Sequence, residues 1–134
     1  MIVADTNLVA YLLIPGAKSA LSEDVLKRDA RWATPLIGRS ELRNVLALYM
    51  RHQGMTLTQA QQTIVKAERL LGLHEYAVPS APVLQLASES ALSAYDAEFV
   101  VLAQSLRIPL VTFDKGILAT FPRIAVHPDK FVKS

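Results

Sequence analysis

Four acidic residues, Asp5, Glu41, Asp96 and Asp114, stand in this 134-residue sequence where a purely structural chain gains little from a carboxylate. Asp5 ends the apolar run Ile2-Val3-Ala4 and is followed by the small polar pair Thr6-Asn7. The run reads as a strand buried on both faces. Ligands of open α/β sheets bind outside the carboxyl ends of the strands, so an acid at that position points toward a site.

Glu41 sits in a helical pattern, and at about 100° per residue it falls between Ile37, Val45 and Leu48, with Arg39, Ser40, Arg43 and Arg51 on the opposite face. An unpaired buried carboxylate costs several kcal/mol, so this acid must be salt-bridged, protonated or bound to a cation. Asp96 shares a face with Phe99, Val100 and Ala103, but Ser93-Ala94-Tyr95-Asp96 also has the spacing of a capping box, which alone would explain it. Asp114 closely follows the strand-like Pro109 to Thr112. It fits either a helix N-cap or the same sheet edge as Asp5.

Several carboxylates on one sheet edge repel one another unless a cation compensates them, and hard oxygen donors suit Mg²⁺ or Mn²⁺. With no cysteine and only the scattered His52, His74 and His127, zinc is not expected. Acid-bound Mg²⁺ commonly handles phosphate oxygens and acidifies an attacking water. The chemistry this predicts is phosphodiester hydrolysis.

Positioning these acids requires a scaffold, and the chain supplies alternating elements. After Asp5, a short helix is predicted over Leu8 to Leu13, turned by Pro15-Gly16, then a helix from about Ala17 to Asp29 and a strand at Trp32 to Thr34. Helices follow on both sides of Gly54, Leu36 to His52 and Thr58 to Leu71, with Thr58 as the N-cap and Gly72 just past the end. A strand at His74 to Val78, a helix at Ala81 to Ala91 and an apolar helix at Asp96 to Leu106 come next. Strand Pro109 to Thr112, a short helix from Asp114 through Leu118 and a last strand at Ile124 to Val126 complete the series. Alternating strands and helices predict a three-layer α/β/α sandwich around a central parallel sheet.

The length and 51% hydrophobic content predict one domain over residues 1–134, able to bury a core without metal or disulfide staples. Absence of cysteine fits a reducing compartment and makes the cytoplasm the expected location. No signal peptide is expected, since Asp5 interrupts any apolar leader, and no run nears the about 18 apolar residues of a membrane span. A net charge of +2 neither diagnoses nor excludes a polyanionic partner.

The sequence resembles the PIN-domain ribonucleases, and among them the VapC-type toxins of prokaryotic toxin-antitoxin pairs. The matching pieces are Val3-Ala4-Asp5-Thr6-Asn7, Ser40-Glu41-Leu42, Tyr95-Asp96-Ala97-Glu98-Phe99 and Leu110-Val111-Thr112-Phe113-Asp114, whose order and spacing cover essentially the whole chain. The resemblance implies a metal-dependent endoribonuclease in which Asp5, Glu41, Asp96 and Asp114 coordinate one or two Mg²⁺ or Mn²⁺ ions. Asp5 and Asp96 would be direct ligands, and Glu41 and Asp114 would complete the shell or handle the attacking water. Thr6, Asn7 and Thr112 would support them, although capping and turn roles explain such residues equally well. It also implies an RNA substrate, a cognate antitoxin and a homodimer.

Glu98 is expected on another face than Asp96, at the surface or in an ion pair. Arg39, Arg43, Arg51 and Lys115 are available to RNA phosphates, though a solvated face is the commoner role. From another functional class, a PIN-like module that binds RNA or protein without cutting remains open. A phosphotransfer receiver domain is set aside, because the third strand is not followed by an acceptor acid.

Overall fold

The computed structural model describes residues 1–134. The chain runs β1 (Ile2–Ala4), α1 (Thr6–Leu13), α2 (Ser19–Arg28), β2 (Trp32–Pro35), α3 (Ile37–His52), α4 (Leu57–Leu71) and β3 (Glu75–Tyr76). It continues through α5 (Ser80–Ser88), α6 (Ala94–Leu106), β4 (Leu110–Val111), α7 (Lys115–Thr120), β5 (Ala125–Val126) and α8 (Pro128–Lys133). The five strands form one sheet in the order β3-β2-β1-β4-β5, and every neighbouring pair is parallel. This is the predicted sandwich.

The period-2 alternation of the strands separates two cores. Ile2, Ala4, Trp32 and Val111 face one side and pack with Leu8, Val25, Leu42, Leu46, Ala67 and Leu71 of α1 to α4. Val3, Ala33 and Leu110 face the other and pack with Val83 and Leu86 of α5, with Phe99 to Ala103 of α6 and with Ile117 of α7. Strands buried on both faces need no polar alternation, which is why they read as short apolar runs.

Several boundaries differ from expectation for local reasons. The N-cap of α4 is Thr56, not Thr58: its side chain accepts from the Gln59 N–H at 3.1 Å while Gln59 Oε1 accepts from the Thr56 N–H at 2.9 Å. That reciprocal pair satisfies two orphan amides and starts the helix at Leu57, which puts Thr58 inside α4. Helix α1 starts at Thr6 because Asp5 caps it, and the unpredicted α8 is entered through Pro128 behind His127. Gly72, with φ +52°, ends α4 as its sequence position suggested.

Gly38 lies where α3 crosses β2, and an added Cβ would overlap the buried Thr34 Oγ1. Gly38→Ala is therefore expected to cost about 1–3 kcal/mol by overpacking. Thermal unfolding checks this, and an unchanged midpoint would mean that α3 and β2 part without cost.

Candidate active site

Reversal of the strand order at β1 places the carboxyl ends of β1 and β4 side by side, the position at which open α/β sheets form a crevice. Asp5 follows β1 directly and its N–H donates to the Val111 carbonyl at 3.2 Å. Its Oδ1 accepts from the Thr6 N–H at 2.8 Å, and its Oδ2 accepts from Thr112 Oγ1 at 2.6 Å. The same hydroxyl oxygen accepts the Asp114 N–H at 3.0 Å, and Asp114 Oδ1 in turn accepts the Ile117 N–H at 2.8 Å as N-cap of α7. The fully buried Thr112 thus fixes both acids relative to each other.

Glu41 reaches the same crevice from α3, where Thr6 Oγ1 donates to its Oε1 at 2.7 Å. Asp96 arrives in the first turn of α6, its N–H donating to Ser93 Oγ at 3.1 Å. Capping and convergence therefore coexist: Asp5 and Asp114 cap helices, Asp96 sits in a capped first turn, and all line one cleft of about 480 Å³ with Glu41. Helix N-termini favour negative charge there. Asn7 also lines the cleft, together with Ile37, Ser40, Asn44, Val45 and Tyr95.

The expected orientation of α3 needs correction. Its core stripe is Gly38, Leu42 and Leu46, whereas Ile37 and Val45 are half-buried and Leu48 is exposed. Glu41 consequently faces a cleft rather than the core, and Ser40 lines that cleft beside it.

The electrostatics are those of a crowded set of acids. Burial pushes Asp5 up from 3.8 to about 6, against the Thr112 and Thr6 hydrogen bonds and with the charges of Glu41 and Asp96 adding to it. Glu41 is raised by burial, opposed by the Thr6 hydroxyl and reinforced by Asp96. Asp96 is raised by burial and then by the Asp114 charge, with Ser93 working against both.

Glu98, expected at the surface or in an ion pair, is half-buried without a basic partner. Burial raises it and the charge of Glu41 raises it further, so it belongs to this electrostatic group. The sequence reading also did not select Asn44 and Tyr95. Asn44 was visible as one turn beyond Ser40 and Glu41, and Tyr95 as the neighbour of Asp96.

No three His, Asp or Glu side chains stand close enough together to close on one ion by themselves. The donors are nevertheless all oxygen, and Mg²⁺ is commonly held by one or two carboxylates while keeping several waters. The donor chemistry fits such a cation, and it does not fit zinc.

Beside this cleft lies a second one, lined by Leu36, Arg39, Ser40, Arg43 and Leu73 among others. Arg39 is held there by Glu75 at 2.6 Å and Glu68 at 3.5 Å, while Arg43 is exposed and unpaired. Beyond Thr112, Phe113 packs edge-on against Tyr11 and His127, and Lys18 sits 4.9 Å and 5.0 Å from the Tyr11 and Phe113 ring centres. These contacts fix the loop between β4 and Asp114.

Thr112→Val keeps the shape and removes the hydroxyl, freeing Asp5 and orphaning the Asp114 amide. A loss of about 10–100-fold in divalent-metal affinity is expected, with Thr112→Ser close to wild type. Calorimetric titration with Mn²⁺ decides it: equal affinities for the valine and serine variants would remove Thr112 from any positioning role.

A family model described as "PIN domain" matches residues 2–125. Comparison with curated proteins gave no match. Among solved structures, the chain is similar to one in a toxin-antitoxin complex from Klebsiella pneumoniae, at 21% identity and TM-score 0.70 over 96% of this chain and 98% of that one. It is also similar to PAE2754 from Pyrobaculum aerophilum, at 23% identity and TM-score 0.77 over 98% and 86%. A third is FitAcB from Neisseria gonorrhoeae, at 20% identity and TM-score 0.68 over 96% and 98%.

Proposed function

Because this chain belongs to the PIN-domain family, we propose that it is a metal-dependent endoribonuclease and the toxin of a toxin-antitoxin pair. One observation carries the nuclease reading: four acids spread from position 5 to position 114 line one cleft at the strand-order reversal, with Asp5 raised to about 6. That arrangement stores mutual repulsion that a cation relieves. The toxin reading rests on similarity to a chain of a toxin-antitoxin complex and extends to an antitoxin partner. A homodimer and a cytoplasmic location accompany it. No helix is long and apolar enough to cross a membrane.

In this reading Asp5 and Asp96 hold Mg²⁺ or Mn²⁺, with Glu41 and Asp114 beside them. The ion, when bound, neutralises charge on the phosphoryl oxygens and acidifies the attacking water. The protein's own part is positioning and proton handling. Thr112 and Thr6 keep Asp5 and Glu41 in place. Glu41, its pKa raised by burial, is suited to take the proton from the attacking water. Arg43, exposed one helical step from the cleft, is placed to meet a neighbouring phosphate.

One observation favours the alternative of a module that binds without cutting, namely that no three acids are close enough to hold an ion on their own. Incubation of a labelled small-RNA pool with Mg²⁺, Mn²⁺ or EDTA separates the two. Discrete products that require metal support the nuclease. RNA retention without cleavage in any metal would favour the module.

A further inference from the structure

We infer that the wall of the cleft formed by α3 and Tyr95 is a binding subsite for one unpaired nucleobase next to the scissile phosphate, with Tyr95 as its stacking surface and Asn44 as its edge reader. This rests on the nuclease reading and names the substrate feature that the site selects.

Beside its acids the cleft is lined by apolar and uncharged polar side chains. Asp5 and Asp114 follow β1 and β4 and Asp96 lies in α6, while α3 lines the cleft with Ile37, Ser40, Asn44 and Val45 beside Glu41. Ser40, Asn44 and Val45 fall three, seven and eight residues after Ile37 and so share one helix face, on which Glu41 also lies. Tyr95 closes the cleft from α6, one residue before Asp96, yet it is 61% exposed. Its ring takes no part in the aromatic packing around Phe113, and the side chains of Ser40, Asn44 and Tyr95 make no hydrogen bond within the protein.

An exposed ring, two apolar side chains and an amide with both donors and an acceptor match a nucleobase, which is apolar on its faces and polar along its edge. A helix-paired base offers neither: its faces are stacked and its pairing edge is occupied. The nucleotide at the cut is therefore single-stranded or extruded. Base–aromatic stacking is worth 1–3 kcal/mol per base, a factor of about 5–150 in affinity.

The test uses the whole protein in EDTA, so that nothing is cut, and short single-stranded RNAs that each carry one 2-aminopurine or one abasic position. Wild type is expected to quench the fluorophore, Tyr95→Phe to quench equally and Tyr95→Ala to bind about 5–150-fold more weakly with the quench lost. Abasic RNA is expected to weaken wild type more than it weakens Tyr95→Ala, which ties the difference to the missing base contact. The exposed position of Tyr95 makes folding of both variants checkable by circular dichroism. Equal quenching and affinity for all three proteins, alongside metal-dependent cleavage of the small-RNA pool, overturns the subsite and leaves the nuclease intact. Absence of both RNA binding and cleavage in wild type overturns the nuclease reading and the subsite with it.

Discussion

Asp96→Asn is expected to lower RNA cleavage by about 10³-fold or more while the protein remains folded, the effect of losing several kcal/mol of transition-state charge stabilisation. The substitution keeps the size and position of the side chain. The Asp96 N–H still donates to Ser93 Oγ, so helix α6 keeps its start. What disappears is a negative charge in the cleft, and with it part of the attraction for a divalent cation. Asp5→Asn is expected to act equally strongly, because that acid is held by both Thr6 and Thr112 at the centre of the crevice. Parallel purification of wild type and both variants, assayed with Mg²⁺, Mn²⁺ and EDTA, provides the check. Undiminished metal-dependent cleavage by either variant would remove that residue from the catalytic set.

The same Asp5→Asn substitution is expected to stabilise the metal-free protein near neutral pH. In the unfolded chain Asp5 ionises near its ordinary 3.8, whereas in the folded protein it holds its proton up to about 6. The folded state thus binds the proton more tightly. Its contribution to stability is fully present below 3.8 and is lost as pH rises through about 6. The rise corresponds to about 3 kcal/mol, or about 10 °C in melting temperature for a chain of this size.

Asparagine cannot ionise, so the difference between variant and wild type should grow between pH 4 and about 7 and then level off. Glu41, Asp96 and Glu98 are shifted in the same direction and make the wild-type decline steeper. Mg²⁺ or Mn²⁺, binding only the folded ionised acids, should reverse the order. Melting curves across pH, with and without metal, test this. Parallel pH profiles for the two proteins would show that Asp5 ionises freely in the fold.

The parts of this arrangement legible in the sequence are those set by local chain geometry. An acid directly after a buried strand is visible at Asp5, and Asp114 is visible for the same reason after β4. The alternation of strands and helices yields the parallel sheet, because no short hairpin connections interrupt it. Legibility stops where a helix must choose among neighbouring faces. Glu41 was placed among core residues by periodicity, whereas the structure turns the Gly38-Leu42-Leu46 stripe inward and leaves Glu41 on the cleft. The difference is a rotation of about 100°, one residue's worth, and it also hides Asn44. The effect of Glu41 on Glu98 was not visible because the two acids lie on different helices. The Thr56–Gln59 pair was open to reading, since the spacing is local, but Thr58 stood closer to the apolar run.

The central place of β1 in the sheet also governs when the molecule becomes whole during synthesis. Parallel neighbours cannot pair through a tight turn, and the residue that ties Asp5 to the far side of the crevice, Thr112, lies 107 positions downstream. At translation rates of about 5–20 residues per second, β1 waits about 5–20 s for β4 to be made. Through that interval the nascent chain carries an unpaired apolar strand that chaperones can hold, and no assembled set of acids. A ribosome-bound fragment therefore lacks the assembled cleft, so the proposed nuclease is expected to become active only after nearly all of the chain has been made.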